Sequence, residues 1–166
     1  DYIDWRGDIP FEVSPFYEVD ILLVCKLVSL DFTGIVPSEG EVGIAEAARG
    51  YFDKFGEEDV RRGLLMAPGA VTMLKKMLEA PRFSGLRLRD YVYHVDPAAE
   101  KQNSAMPVVL PDETRFIAFR GTDDTLVAWK EDFNMGSLDA VPAQTDAASY
   151  LMRAAWRFNG RMRVGG

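Results

Sequence analysis

Residues 116–124 read FIAFRGTDD. An apolar run, Phe116-Ile117-Ala118-Phe119, stops at Arg120-Gly121 and gives way to a hydroxyl, Thr122, and two carboxylates, Asp123 and Asp124. Two readings compete: an ordinary polar turn, and the working loop of an active site. The paired aspartates suggest a metal first. A hard cation, however, wants several oxygen ligands from one loop, and the Asp-x-Asp-x-Asp-Gly spacing that supplies them is absent. Asp124 or Thr125 fits better as a helix N-cap. Zinc is disfavoured too, since one histidine, His94, and one cysteine, Cys25, cannot build a closed site. Cys25 falls in an apolar helical stretch, where a buried structural thiol is expected in place of a nucleophile. The Arg6-Gly7-Asp8 tripeptide within Trp5–Asp8 is a very weak binding signal, and capping or packing of the N-terminal segment is the expected role.

These groups must be held by neighbouring elements. Ser14-Pro15 has the form of a helix start, with Ser14 as N-cap and Glu18 near the positive end of the dipole. The following EVDILLVCKLVSLDF is apolar on most faces and predicts a well-buried helix closed off by Gly34 and Pro37. A second helix is expected over Ile44–Phe55, with Ile44, Ala47, Ala48, Tyr51 and Phe55 on one side and Gly56 as its stop. A third should run from about Pro68 to Glu79, with Val71, Leu74 and Leu78 inward, ended by Pro81. The pattern then changes. LRLRDYVYHVD alternates and is rich in β-formers, predicting a strand from about Leu86 to Val95. AMPVVLPDETRFIAFR reads as a hairpin: a strand near Ala105–Leu110, a Pro-Asp-Glu-Thr turn, and a strand over Arg115–Phe119. Phe116 and Ala118 on one face, with Ile117 and Phe119 on the other, mark an inner strand covered on both sides. A short helix over Thr125–Met135, a longer one over Ala143–Phe158 and a final strand in GRMRVGG complete the order. The longer helix should carry a stripe of Tyr150, Leu151, Ala154, Ala155 and Phe158. Helices first, then strands alternating with helices, indicate a layered α/β sheet.

From Phe116 onward the chain resembles the class 3 (triacylglycerol) lipase branch of the α/β-hydrolases. Those proteins carry a strand ending in F-R-G and Ser or Thr, a short helix with W-x-x-D, and, after a second helix, a strand running into G-H-S-x-G-G. Here the first part is Phe119-Arg120-Gly121-Thr122, the second Trp129-Lys130-Glu131-Asp132, and the last strand ends Arg163-Val164-Gly165-Gly166. A closer resemblance is to the bacterial lipase-like proteins called Mbeg1-like. It extends over nearly the whole chain, through DYIDWRGDIPFEVSPFYEVD, LDFTGIVP, FRGTDDTLVAWKEDFNM and a final VGG that in the family leads into H-S-K-G-G.

The resemblance implies an α/β-hydrolase fold and a serine ester hydrolase acting through an acyl-enzyme. The tetrahedral intermediate of acyl transfer carries a negative oxygen that needs preorganised donors; losing one costs about 10²–10³ in rate. One donor in this pattern is the backbone N–H after the nucleophile, the other an N–H from the loop after a neighbouring strand. Thr122 occupies that loop position, able to offer its N–H and its hydroxyl, and Gly121 lets the backbone turn with no Cβ in the way of substrate. Gly166 would be the first glycine of the nucleophile elbow, with the serine two residues further on. Arg120 would then be a structural cation, pairing with Asp132, and Trp129 and Phe133 would be packing residues. His94 lies upstream of both motifs, whereas the chain order in this fold is Ser, Asp, His. It is therefore expected as a hydrogen-bonded strand residue.

Composition bounds the partners. At 166 residues the chain suits one domain, with a helical part over about 14–80 and a sheet-forming part over about 86–166. The formal net charge of −7 argues against a nucleic-acid partner. The local basic spots, Arg61-Arg62, Arg87/Arg89 and Arg161/Arg163, gather no aromatic platform and read as solvated faces. The longest apolar run, Ile21–Cys25, is far short of the roughly 20 residues of a membrane span, so no integral membrane segment is expected. A single cysteine suits a reducing, cytoplasmic setting, with a leader left open because the chain begins at Asp1. The expected partner is a small-molecule or lipid ester substrate, without cofactor or metal. On the resemblance the chain is the N-terminal part of the domain, inactive alone. Two alternatives remain: a non-catalytic lipase-like module for binding or scaffolding, and a complete small α/β domain ending at Gly166.

Overall fold

The computed structural model describes residues 1–56, 68–96, 101–120 and 142–166. The chain opens with a short helix that shows no sequence period. α1 (Tyr2–Arg6) is capped by the Asp1 carboxylate, which accepts from the Asp4 N–H. α2 (Glu18–Leu27) starts later than Ser14-Pro15 suggests. Its N-cap is Tyr17, whose N–H donates to the Asp20 carboxylate. The Ser14 hydroxyl instead accepts from Arg6, and the Arg6-Gly7 turn closes α1, so the RGD stretch packs the N-terminal segment. β1 (Glu41–Gly43) leads directly into α3 (Ile44–Phe55), which has the expected bounds. Gly56 ends it at φ +67°, a backbone conformation open to glycine and strained for other residues.

α4 (Pro68–Glu79) also matches its predicted span. Val71 and Leu74 are buried, but Met77 takes the inner place expected of Leu78, which is half-buried. Pro81 does not merely stop this helix; it is the first residue of a further turn, α5 (Pro81–Ser84).

The predicted strand over Leu86–Val95 is broken in two, β2 (Arg87–Arg89) and β3 (Val92–Asp96). Both pair antiparallel with the same edge of β4 (Lys101–Val109). The register shows why. Leu88 faces Val108 and Val92 faces Ala105, so three residues, Arg89 to Tyr91, stand against two, Met106 and Pro107. That is a β-bulge, and Asp90 adopts φ +47° within it. Pro107, which has no N–H for a ladder, lies opposite this interruption, where a sheet tolerates proline.

β5 (Arg115–Phe119) pairs antiparallel with β4 through the expected hairpin. In the turn the Asp112 carboxylate accepts from the N–H and hydroxyl of Thr114, and the Thr114 carbonyl accepts from the Leu110 N–H. After residues 121–141, which lie outside the described residues, α6 (Pro142–Arg157) crosses back to β6 (Met162–Gly165), parallel to β5. The described sheet has six strands in the order β1-β2-β4-β5-β6, with β3 beside β4.

As predicted, β5 is apolar on both sides and covered on both. Phe116 and Ala118 belong to the large cluster built with α2, α3, α4 and α5, while Ile117 packs with Ala105 and Tyr150 of α6. Of the stripe expected on α6, Tyr150 is buried, Leu151, Ala154 and Phe158 are half-buried, and Ala155 is exposed. The whole is a mixed α/β structure.

Candidate functional site

Of the groups singled out by sequence, Gly166 is described, and it stands at the end of the sheet where β5 and β6 finish. The two strands are parallel neighbours in the register Arg115 to Met162 through Ala118 to Gly165, so their carboxyl ends emerge side by side. In open α/β sheets that is where ligand sites form, outside the carboxyl ends of adjacent strands.

Several contacts fix these ends. The Arg120 N–H donates to the Ser104 carbonyl at 2.9 Å, holding the exit of β5 against β4. The buried Ser104 hydroxyl in turn donates to the Val28 carbonyl at 3.2 Å, tying that point to the turn after α2. Glycine is needed at Gly165 of β6 by close approach, and Gly166 just after it also sits tightly. A Cβ at Gly165 would lie 2.7 Å from the Phe116 ring, and one at Gly166 would lie 3.0 Å from Phe119 Cβ and 3.1 Å from the Phe119 carbonyl oxygen. Gly166 is thus pressed against the last residue of β5. From the same strand, Arg163 donates to the Phe16 carbonyl at 3.0 Å and lays its guanidinium over the Phe16 ring.

Gly121 and Thr122 themselves lie outside the described residues, as do Asp123, Asp124, Thr125, Trp129, Asp132 and Phe133. His94 forms a backbone pair with Asn103 in β3, and its side chain lies outside the described residues. Cys25 is half-buried in α2, and burial pushes its thiol pKa up. A raised pKa means less thiolate at neutral pH, which is the reverse of what a nucleophile needs. Among the described residues no three His, Cys, Asp or Glu side chains group as metal ligands, and no helix is long and apolar enough to cross a membrane.

The most heavily bonded polar group in the described structure escaped the sequence. Arg82 and Asp20 form an ion pair with both side chains fully buried. Arg82 donates from Nε to Asp20 at 2.8 Å and from Nη2 to its other oxygen. Nη1 donates to the carbonyls of Ile9, at 2.8 Å, and Ser14, at 3.0 Å, and Nη2 also to that of Pro15, at 3.2 Å. All five guanidinium donors are therefore used, as a buried arginine requires. Phe11 stacks 4.3 Å from the guanidinium carbon. Burial works against the charge, but the bonds and charge of Asp20 outweigh it, and the Arg82 pKa stands above its ordinary value. Asp20 accepts further bonds from the Tyr2 hydroxyl and the Tyr17 N–H. The pair straps residues 9–15 to α2 and α5 and thereby seats Phe16 against Phe116, ring centroids 5.4 Å apart. It positions the strands and touches no reacting group. The available signal was a second carboxylate, Asp20, set immediately before the apolar run Ile21–Cys25.

A family model described as Mbeg1-like matches residues 77–166, from the last turn of α4 through β6. No curated protein and no solved structure matches the chain.

Proposed function

From the premise that the chain belongs to the Mbeg1-like family, we propose that it forms part of a serine ester hydrolase of α/β-hydrolase architecture, acting on a small-molecule or lipid ester through an acyl-enzyme. In this reading Thr122, turned on Gly121, supplies one oxyanion donor. Gly166 is the first glycine of the nucleophile elbow, and the serine with its acid and base stands in residues following it.

One observation carries the reading: β5 and β6 are parallel and adjacent, with Ala118 paired to Gly165 and Gly166 against Phe119. Neighbouring strands lie about 4.8 Å apart, so loops leaving both at the same end can meet around one substrate carbonyl. An oxyanion donor must come within about 3 Å of the developing charge. A donor loop and a nucleophile loop on adjacent parallel strands can satisfy that; on antiparallel neighbours they would leave from opposite ends. The close fit of Gly165 and Gly166 also matches a strand that runs into a tight turn.

The test is to express the full open reading frame, assay short- and long-chain p-nitrophenyl esters, and label with a fluorophosphonate probe. Ester turnover together with a labelled serine is the expected result. Neither signal in a folded protein would leave the non-catalytic binding or scaffolding module as the better reading.

A further inference from the structure

At the opposite end of the sheet, where β5 and β6 begin, the N-terminal segment and the β4–β5 turn face each other across a cavity of about 360 Å³. Its floor is apolar: Phe11, Phe16 and Leu110, between Pro15 and Pro111. Its rim carries three ionisable side chains, Glu12, Asp112 and Arg161, all exposed.

Both walls are held from behind. Arg82 takes the carbonyls of Ser14 and Pro15, and Arg163 takes that of Phe16. Across the cavity, Asp112 is fixed by Thr114, and the backbone of Leu110 bonds Thr114 and Glu113. These backbone groups are consumed inside their own walls, which leaves the cavity preformed and its polar chemistry confined to the rim. Preformed apolar cavities with a few placed charges are the usual form of small-molecule sites, from about 300 Å³ upward. Among the described residues the side chains of Glu12 and Arg161 make no hydrogen bond or ion pair, with each other or with any neighbour.

We infer that this cavity binds a zwitterion with an apolar side chain, the chemistry of a free apolar α-amino acid. The side chain rests on Phe11, Phe16 and Leu110. The carboxylate meets the Arg161 guanidinium, whose planar fork suits it. The ammonium meets Glu12 and the remaining acceptor capacity of Asp112. The rim has both signs of charge, which decides the class. An apolar acid alone would face two carboxylates, and an apolar amine alone would leave Arg161 unanswered. The cavity stands apart from the hydrolase reading, because it lies at the amino ends of the strands whose carboxyl ends carry Gly121 and Gly166.

The experiment is a titration of the chain with L-phenylalanine and with L-leucine, followed by calorimetry and by amide shifts of residues 11–16 and 110–114. Comparators are 3-phenylpropionate, which lacks the ammonium, and 2-phenylethylamine, which lacks the carboxylate. Saturable binding is expected, with each comparator weaker by about tenfold or more. Arg161→Gln should reduce phenylalanine to the affinity of 2-phenylethylamine, and Glu12→Gln should reduce it toward that of 3-phenylpropionate. Both side chains are exposed, so an unchanged melting temperature will separate lost binding from lost folding. Absence of saturable shifts up to about 10 mM of either amino acid, or binding indifferent to Arg161→Gln, overturns the assignment.

Discussion

The two faces of the sheet are built to different depths. On one, α2, α3, α4 and α5 close a continuous cluster running from Ile3 to Ala118, with Phe32, Leu74, Phe83, Leu88 and Phe116 fully covered. On the other, among the described residues, α6 alone covers the strands, and the buried cluster is small, Ala105, Ile117 and Tyr150, with Pro107 and Val109 of β4 buried beside it. Met152, Val164 and Trp156 stay exposed, Trp156 by 93%. Burying a large apolar side chain contributes about 1.5–3 kcal/mol, so the deep face contributes most of what holds the fold together, and it also grips β6 through Arg163 on Phe16 and Gly165 against Phe116. The shallow face adds a thin second layer that fastens the crossover helix.

The sharpest way to break this division is at the deep face's polar centre. Arg82→Met removes one partner of a buried pair and leaves the Asp20 carboxylate uncompensated, a change that costs about 3–5 kcal/mol. Urea unfolding should show a loss of that order. A loss below about 1 kcal/mol, the range of an exposed pair, would mean that the strap over residues 9–15 is dispensable and the deep face is not organised around it.

A second, somewhat smaller effect appears with pH. Burial pushes the Tyr91 phenol up to about 12, against the opposing pull of Ser104 and the Phe32 backbone; its hydroxyl donates to the Leu30 carbonyl on the deep face. The folded state therefore keeps this proton longer than the unfolded chain does. The stability it contributes is fully present below the ordinary tyrosine pKa of about 10 and is lost as pH rises through 12. A two-unit shift corresponds to roughly 2–3 kcal/mol. Tyr91→Phe should lessen the slope of the alkaline limb of a stability–pH profile between pH 10 and 12, the remaining slope belonging to Tyr2, Tyr51 and Tyr150, whose phenols burial also raises. If the limb keeps its full slope in the variant, Tyr91 is not a source of alkaline sensitivity.

The same contrast explains how much could be read from sequence. Elements fixed by local chemistry were legible: α3 from its periodicity and Gly56, α4 from the spacing of Val71 and Leu74 and the Pro81 that follows it, the hairpin from its Pro-Asp-Glu-Thr turn, and β5 from its two apolar faces. What escaped depends on partners distant in sequence. Arg82 and Asp20 are 62 residues apart, and Pro81 beside Arg82 reads locally as a helix stop. The bulge at Asp90 escaped because LRLRDYVYHVD alternates on both sides of it; only the pairing with Ala105 and Val108 reveals the extra residue. Ser14 has a capping side chain, yet it is drawn to Arg6, and Tyr17 takes the cap. At the candidate site Gly166 stands beside the end of β5, while Gly121 and Thr122 lie outside the described residues.

The mildest test addresses the shallow face. There the Tyr150 hydroxyl donates to the Asp90 carbonyl at 2.9 Å, fastening α6 to the bulge. Tyr150→Phe keeps the ring and its edge contact with Phe119 but leaves that carbonyl without this donor, at a cost of about 0.5–1.5 kcal/mol. A layer one helix deep should register the loss locally. Hydrogen exchange ought to quicken in α6 and β6 well before it does in α3 and α4, since thinly packed regions open below the global free energy. Equal acceleration everywhere would instead show that the shallow face unfolds only with the whole molecule. In that case the crossover would share the stability of the deep core, and the two layers would not divide the work.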